Sequence, residues 1–195
     1  VTVCAEVNPK ITHIRHSQGW INEIIDNIEE LVPRVKKALE NNEVVSIAYL
    51  GNVVDVWERF DQENLYIDLG SDQTSLHNPW AGGYYPIGYS FEESNEMMAK
   101  NPEKFKEEVQ KTLRRHAAAI NKHTAKGTYF FDYGNSFMKA VFDSGIKEIC
   151  KNGENPLEGF IWPSYVEDIM GPFLFDYGYG PFRWVVLSGK EEDLD

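Results

Sequence analysis

The stretch Asp72-Gln73-Thr74-Ser75-Leu76-His77 places five polar side chains within six residues and runs into Asn78-Pro79. Donors and acceptors at that density are costly to bury unless something hydrogen-bonds them. A ligand would do so, and so would a turn in which Asp72, Thr74 and Ser75 cap the local backbone. Three smaller polar sets stand in the same relation to an apolar run: Glu6, Gly51-Asn52 and Asp132-Tyr133-Gly134-Asn135. A carboxylate such as Glu6, at the end of a strand, can accept hydrogen bonds from ribose hydroxyls. It would repel a 2′-phosphate, which favours NAD over NADP; an ordinary charged strand end is the alternative. Gly51 can bring backbone close to a ligand while Asn52 caps a helix. Tyr84-Tyr85 after Gly82-Gly83, and Tyr133, could stack on a flat ring or pack as plain aromatics. His13, His16, His116 and His123 have no partners at a recognisable spacing and read as surface or packing residues.

The elements that must position these groups are short apolar runs at residues 1–5, 44–50, 65–69 and 128–131. They are apolar at successive positions, as in strands buried on both faces of a parallel sheet. Helical patterns separate them. Asn27 with Glu30 predicts a capping box, after which Ile28, Leu31, Val32, Val35 and Leu39 fall on one face, with Pro33 disturbing the first turns. Residues 52–60 predict a short helix carrying Val53, Val56 and Trp57. Residues 102–122 predict the longest, with Phe105, Val109, Leu113, His116 and Ile120 inward, and a last helix spans 136–150. Strands alternating with helices predict an α/β fold, three-layer α/β/α and Rossmann-like, with a mostly parallel sheet. Every polar set then lies at a strand's carboxyl end, where open α/β sheets bind ligands. The glycine fingerprint G-x-G-x-x-G is absent. A chain beginning at the second strand of such a fold would leave its first strand and glycine-rich turn upstream of residue 1. The expected domains are residues 1–155, the α/β unit, and residues 156–195, an aromatic, Gly/Pro-rich return segment.

Composition narrows the function. The 195 residues are 42% hydrophobic and carry 31 acidic against 19 basic residues, a net charge of −12. That balance argues against nucleic-acid and anionic-membrane surfaces. Cys4 and Cys150 are the two cysteines, without Cys-x-x-Cys or His-rich spacing, so neither a metal site nor a disulfide framework is expected and a reducing cytosol fits. No apolar run approaches the roughly 18 residues of a membrane span, and no signal peptide is expected. The opening Val1-Thr2-Val3-Cys4-Ala5 reads as a buried strand, so a piece of a longer chain is expected. No G-x-S-x-G elbow points to a hydrolase.

Three blocks carry a resemblance. Asp72-Gln73-Thr74-Ser75-Leu76-His77-Asn78-Pro79 with Gly83-Tyr84-Tyr85-Pro86 resembles D-Q-T-S-x-H-[DN]-P…G-Y-x-P of the urocanase family. Phe131-Asp132-Tyr133-Gly134-Asn135-Ser136 is similar to its F-D-Y-G-N-[NS], and Gly180-Pro181-Phe182-Arg183-Trp184 with Leu187-Ser188-Gly189 to its G-P-F-R-W…S-G. The resemblance implies the NAD-binding domain of a cytoplasmic, homodimeric hydro-lyase. Such an enzyme adds water to urocanate to give 4-imidazolone-5-propanoate in histidine degradation, with NAD⁺ as an electrophile. It implies cofactor contacts at Glu6, Asn52, Val53, Gln73, Thr74, Ser75, Leu76, His77, Tyr84, Tyr85 and Tyr133, and a substrate contact at Arg183. Catalytic residues would lie outside this chain. Pro9-Lys10-Ile11 stands where bacterial members carry an arginine, and one residue is inserted near residues 80–83. An NAD-dependent dehydrogenase domain and a non-catalytic nucleotide-binding or interaction module stay open as alternatives.

Overall fold

The computed structural model describes residues 1–72, 78–153, 155–180, 188, 190 and 192. The first part of the chain alternates strand and helix: β1 (Thr2–Glu6), α1 (Pro9–Ser17), β2 (Glu23–Ile25), α2 (Ile28–Glu40), β3 (Ser46–Leu50) and α3 (Val53–Gln62). The strands form a parallel ladder in the order β1-β3-β2, with Cys4 and Ile24 both opposite Ala48. Side chains alternate across the ladder. One face, with Val3, Ala5, Ile25, Ile47 and Tyr49, packs on Leu31, Val32 and Val35 of α2 and on Val56 and Phe60 of α3. α1 touches all three strands and buries Thr12.

Local chemistry starts each helix. Asn8 caps α1 with Pro9 in the first turn, and Asn27 caps α2 through the Glu29 N–H. The reciprocal capping box expected at Asn27 and Glu30 forms elsewhere, between Ser90 and Glu93 at the start of α4 (Phe91–Lys100). α2 runs through Pro33, which has no N–H for the Glu29 carbonyl. Its buried face is Leu31, Val32, Val35 and Ala38; Leu39, expected inside, is 48% exposed.

The second part comprises β4 (Leu69–Asp72), α4, α5 (Pro102–Ala125), β5 (Tyr129–Asp132) and α6 (Ser136–Asp143). β4 and β5 pair in parallel, so the expected single sheet appears as two parallel ladders. α5 turns Phe105, Val109, Leu113 and Ile120 into a core shared with Phe130, Phe137, Val141, Ile149 and Trp162. α3 joins the two cores, with Trp57 on this one and Val56 and Phe60 on the other.

Two further expectations shift. The strand expected at 65–69 begins at Leu69 and ends at Asp72, while Leu65 and Ile67 pack as connecting chain. At Gly70 a Cβ would stand 2.3 Å from Trp57 Cη2, so bare backbone lets the strand pass the indole. The helix expected over 136–150 stops at Asp143, because Gly145 takes φ +100°, and a 3₁₀ turn, Lys147–Ile149, follows. As expected of a segment packing on the domain, residues 160–164 lie against the second core and the end of β5. Trp162 is buried and stacks on Phe137 (6.1 Å, 17°), and a π-helical turn, Tyr165–Met170, follows. Among the described residues no helix is long and apolar enough to cross a membrane, and no His/Cys/Asp/Glu group could hold a metal.

Candidate functional site

β1 delivers Glu6 to its carboxyl end, paired with Leu50 of β3. The Asn8 N–H donates to Glu6 Oε1 at 2.8 Å, which fixes the carboxylate; only Oε1 is engaged within the described residues. The Gly51 N–H donates to the Glu6 carbonyl at 3.0 Å and latches the two strand ends together. A side chain at Gly51 would strike the Tyr49 ring, its Cβ 2.5 Å from Cε1. Burial, then Asp55 and Asp26, push the Tyr49 phenol up to about 12.

Asn52 serves two elements at once. Its Oδ1 accepts from the Val54 N–H at 3.0 Å and caps α3, while its Nδ2 donates to the Tyr85 carbonyl at 2.8 Å. Val53 is the first residue of that helix, where backbone N–H groups lack partners within the helix. The Tyr85 hydroxyl donates to Asn95 Oδ1 at 3.0 Å, and Asn95 in turn donates to the Phe91 carbonyl. Burial raises the Tyr85 phenol, the Asn95 bond opposes this, and the Glu6 charge adds to it. Glu6, Asn52 and Tyr85 therefore converge on one edge of the first ladder.

Tyr84 faces the other way. It is buried, stacks on Phe137 and His116, and its hydroxyl lies 2.9 Å from His116 Nδ1. Burial pushes His116 down to about 3 and so keeps it neutral. Burial also raises the Tyr84 phenol, and Asp72 adds to that. Asp72 ends β4 and Asp132 ends β5, both buried. Asp132 Oδ2 accepts from the Phe137 and Met138 N–H groups at 3.1 and 3.2 Å, so the start of α6 holds a carboxylate of its own chain. Burial raises the Asp132 carboxyl, and these backbone bonds counter it. Tyr133 follows, 49% exposed, its N–H donating to the Asp72 carbonyl at 3.1 Å.

Of the residues singled out in the sequence, Glu6, Asn52, Val53, Tyr84, Tyr85 and Tyr133 lie at or beside the strands' carboxyl ends. Gln73, Thr74, Ser75, Leu76, His77 and Arg183 lie outside the described residues. Asn95 and His116 were not anticipated as partners of these groups, nor was Tyr165, whose ring stacks on Tyr133. The unread capping-box pattern Ser90-x-x-Glu93 would have signalled α4, and with it Asn95; the other two pair across distances in sequence that no local motif spans. A carboxylate, an amide, a phenol and helix-start N–H groups gather here.

Parallel strands alternating with helices, with polar groups at their carboxyl ends, define a Rossmann-like α/β domain. A family model described as Urocanase Rossmann-like domain matches residues 1–169, and the chain belongs to the urocanase family. Over its whole length it is 48% identical to a probable urocanate hydratase of Caenorhabditis elegans, 50% to one of Dictyostelium discoideum and 46% to the urocanate hydratase of Mus musculus. The chain spans 29% of the length of these curated relatives.

Proposed function

We propose that the protein containing this chain is a urocanate hydratase, a cytoplasmic homodimeric hydro-lyase that adds water to urocanate to give 4-imidazolone-5-propanoate. This domain would hold its NAD⁺. The supporting observation is the convergence of Glu6, Asn52 and Tyr85 at the carboxyl edge of a Rossmann-like fold, in a chain alike over its whole length to proteins named urocanate hydratase.

The residues fit a dinucleotide. Among the described residues only Oε1 of the Glu6 carboxylate is engaged, which leaves Oε2 for ribose hydroxyls and disfavours a 2′-phosphate. The start of α3 at Asn52 and Val53 offers N–H groups to a polar ligand. Tyr85 and Tyr133 supply aromatic contacts. Tyr84, its hydroxyl on His116, holds the adjoining backbone in place. Gln73, Thr74, Ser75, Leu76 and His77 would complete the cofactor contacts, and Arg183 would take the urocanate carboxylate through its planar fork. Bound NAD⁺ supplies an electrophile that no side chain provides. The work of this chain is to hold and orient, with the acid–base groups elsewhere in the protein.

The test is full-length protein given urocanate while absorbance follows substrate and NADH. Urocanate consumption with no net NADH supports the hydratase. Net NADH production would point to a dehydrogenase, and protein that neither holds NAD nor consumes urocanate to a binding module. The isolated chain is expected to bind NAD⁺ weakly or not at all and to hydrate nothing.

A further inference from the structure

Tyr133 is the exposed ring of the candidate site, and what lies behind it is specified in detail. Tyr165 stacks on it with ring centroids 5.6 Å apart and planes 17° from parallel. The same ring leans on Phe131 at 5.7 Å. Phe131 lies in β5 and Tyr133 directly follows its last residue, and the Tyr165 ring spans both. The segment carrying Tyr165 is tied to the end of β5 at three further points. The Asp132 N–H donates to the Pro163 carbonyl at 3.0 Å, the Val166 N–H to the Tyr133 carbonyl at 3.2 Å, and Asn135 Nδ2 to Glu167 Oε2 at 2.9 Å. Ser164 and Asp168 fix the turn itself, the Ser164 N–H donating to Asp168 Oδ2 at 2.7 Å. The turn is π-helical, a form that occurs mostly as single turns and often at functional sites.

An exposed tyrosine at a strand end loses rotamer freedom when a ligand stacks on it, and that loss subtracts from affinity. A ring already stacked from behind has given up that freedom beforehand. We infer that Tyr165 is a positioning residue that backs Tyr133, so that the two rings form a rigid platform on which a flat heteroaromatic ring of the dinucleotide stacks. The inference rests on the NAD⁺ reading above and adds to it a residue that the three sequence blocks do not contain.

The experiment titrates NAD⁺ by calorimetry into full-length protein stripped of nucleotide. Tyr165→Leu keeps bulk and loses the plane; Tyr165→Phe keeps the plane and loses the hydroxyl. Tyr133→Ala and Tyr165→Leu should each weaken binding about tenfold, the upper end for an aromatic pair. The double variant should be no weaker than either single one, because Tyr165 acts through Tyr133. Tyr165→Phe should bind like the unaltered protein, because it keeps the ring plane on which Tyr133 rests. Wild-type affinity in Tyr165→Leu, or losses that add in full in the double variant, overturns the platform. Glu6→Gln separates the two readings. If it weakens NAD⁺ binding while Tyr165→Leu does not, only the platform fails. If Glu6→Gln and Tyr133→Ala both bind normally, the NAD⁺ reading fails and the platform with it.

Discussion

The two ladders handle polar groups in opposite ways. Around β1-β3-β2 the charges sit at the rim. Arg34 bridges Glu23 and Glu43 at 2.6 Å each, and Lys36 meets Glu63 at 2.8 Å, over an apolar core of Leu31, Val32, Val35, Ile47, Val56 and Phe60. Around β4-β5 the polar groups are inside. His116, His123, Thr112, Asp132 and Ser164 are 0 or 1% exposed. Each has a specific partner: His116 the Tyr84 hydroxyl, His123 the Trp57 carbonyl, Thr112 the Ile87 N–H, Asp132 the start of α6 and Ser164 the Asp168 carboxylate. Rim pairs contribute little to stability, whereas a buried polar group left without its partner is expensive. The interior of the second region therefore serves orientation: its buried bonds fix Tyr84, the middle turn of α3 at Trp57 and the segment that stacks on Tyr133.

The largest break in the comparison is a truncation at the centre of the polar core. Phe137 is fully buried and touches Tyr84, His116, Phe130 and Trp162. Phe137→Ala should cost about 3–5 kcal/mol in urea unfolding. Leu31→Ala, equally buried in the other core, should cost about 2–5 kcal/mol. The two separate in a second readout: only Phe137→Ala should disturb the environment of Tyr84, seen as a change in near-ultraviolet circular dichroism at temperatures where both variants are folded.

Acid sharpens the contrast. An unfolded histidine takes a proton near pH 6.5, but His116 in the fold does so only near 3, because burial disfavours the charged ring. Between those values the unfolded chain binds more protons, so this contribution is complete above pH 6.5 and lost as pH falls. The slope approaches about 1.4 kcal/mol per pH unit. The rim carboxylates Glu23, Glu43 and Glu63 are lowered by their bonds to Arg34 and Lys36, so their contribution holds until pH falls through the ordinary carboxylate range. Denaturant midpoints measured from pH 7 to 5 should fall in the unaltered chain and fall less in His116→Gln. Equal slopes would mean that His116 is not the group responsible.

This division also explains what the sequence could reveal. Pattern alone put Glu6, Asn52 and Tyr133 at the carboxyl ends of strands, because each ends or follows an apolar run, and the structure has them there. β2 escaped because Glu23–Ile25 is three residues long, too short for a period, and is held partly by Asn22 and Ser46. α1 escaped because its apolar residues Ile11 and Ile14 are about 40% exposed and its buried residue is a threonine. His116 was legible as an inward helix position but not as the partner of Tyr84, since that pairing depends on how α5 crosses a loop 32 residues away in sequence.

The smallest expected effect isolates one hydrogen bond where the two regions meet. Asn52 caps α3 with its oxygen and holds the Tyr85 carbonyl with its nitrogen. Aspartate caps a helix about as well as asparagine but has no amide to donate. Asn52→Asp should therefore keep α3 and change overall stability by about 1 kcal/mol or less. It would also set a carboxylate against a carbonyl and release the Tyr85 backbone. Hydrogen exchange should then rise at residues 84–87 and stay unchanged through α3. Asn52→Ala removes both bonds, so exchange should rise in both places. If Asn52→Asp leaves residues 84–87 as protected as before, the Asn52 clamp does not hold this segment, and the bonds of Tyr84 to His116 and of Tyr85 to Asn95 suffice.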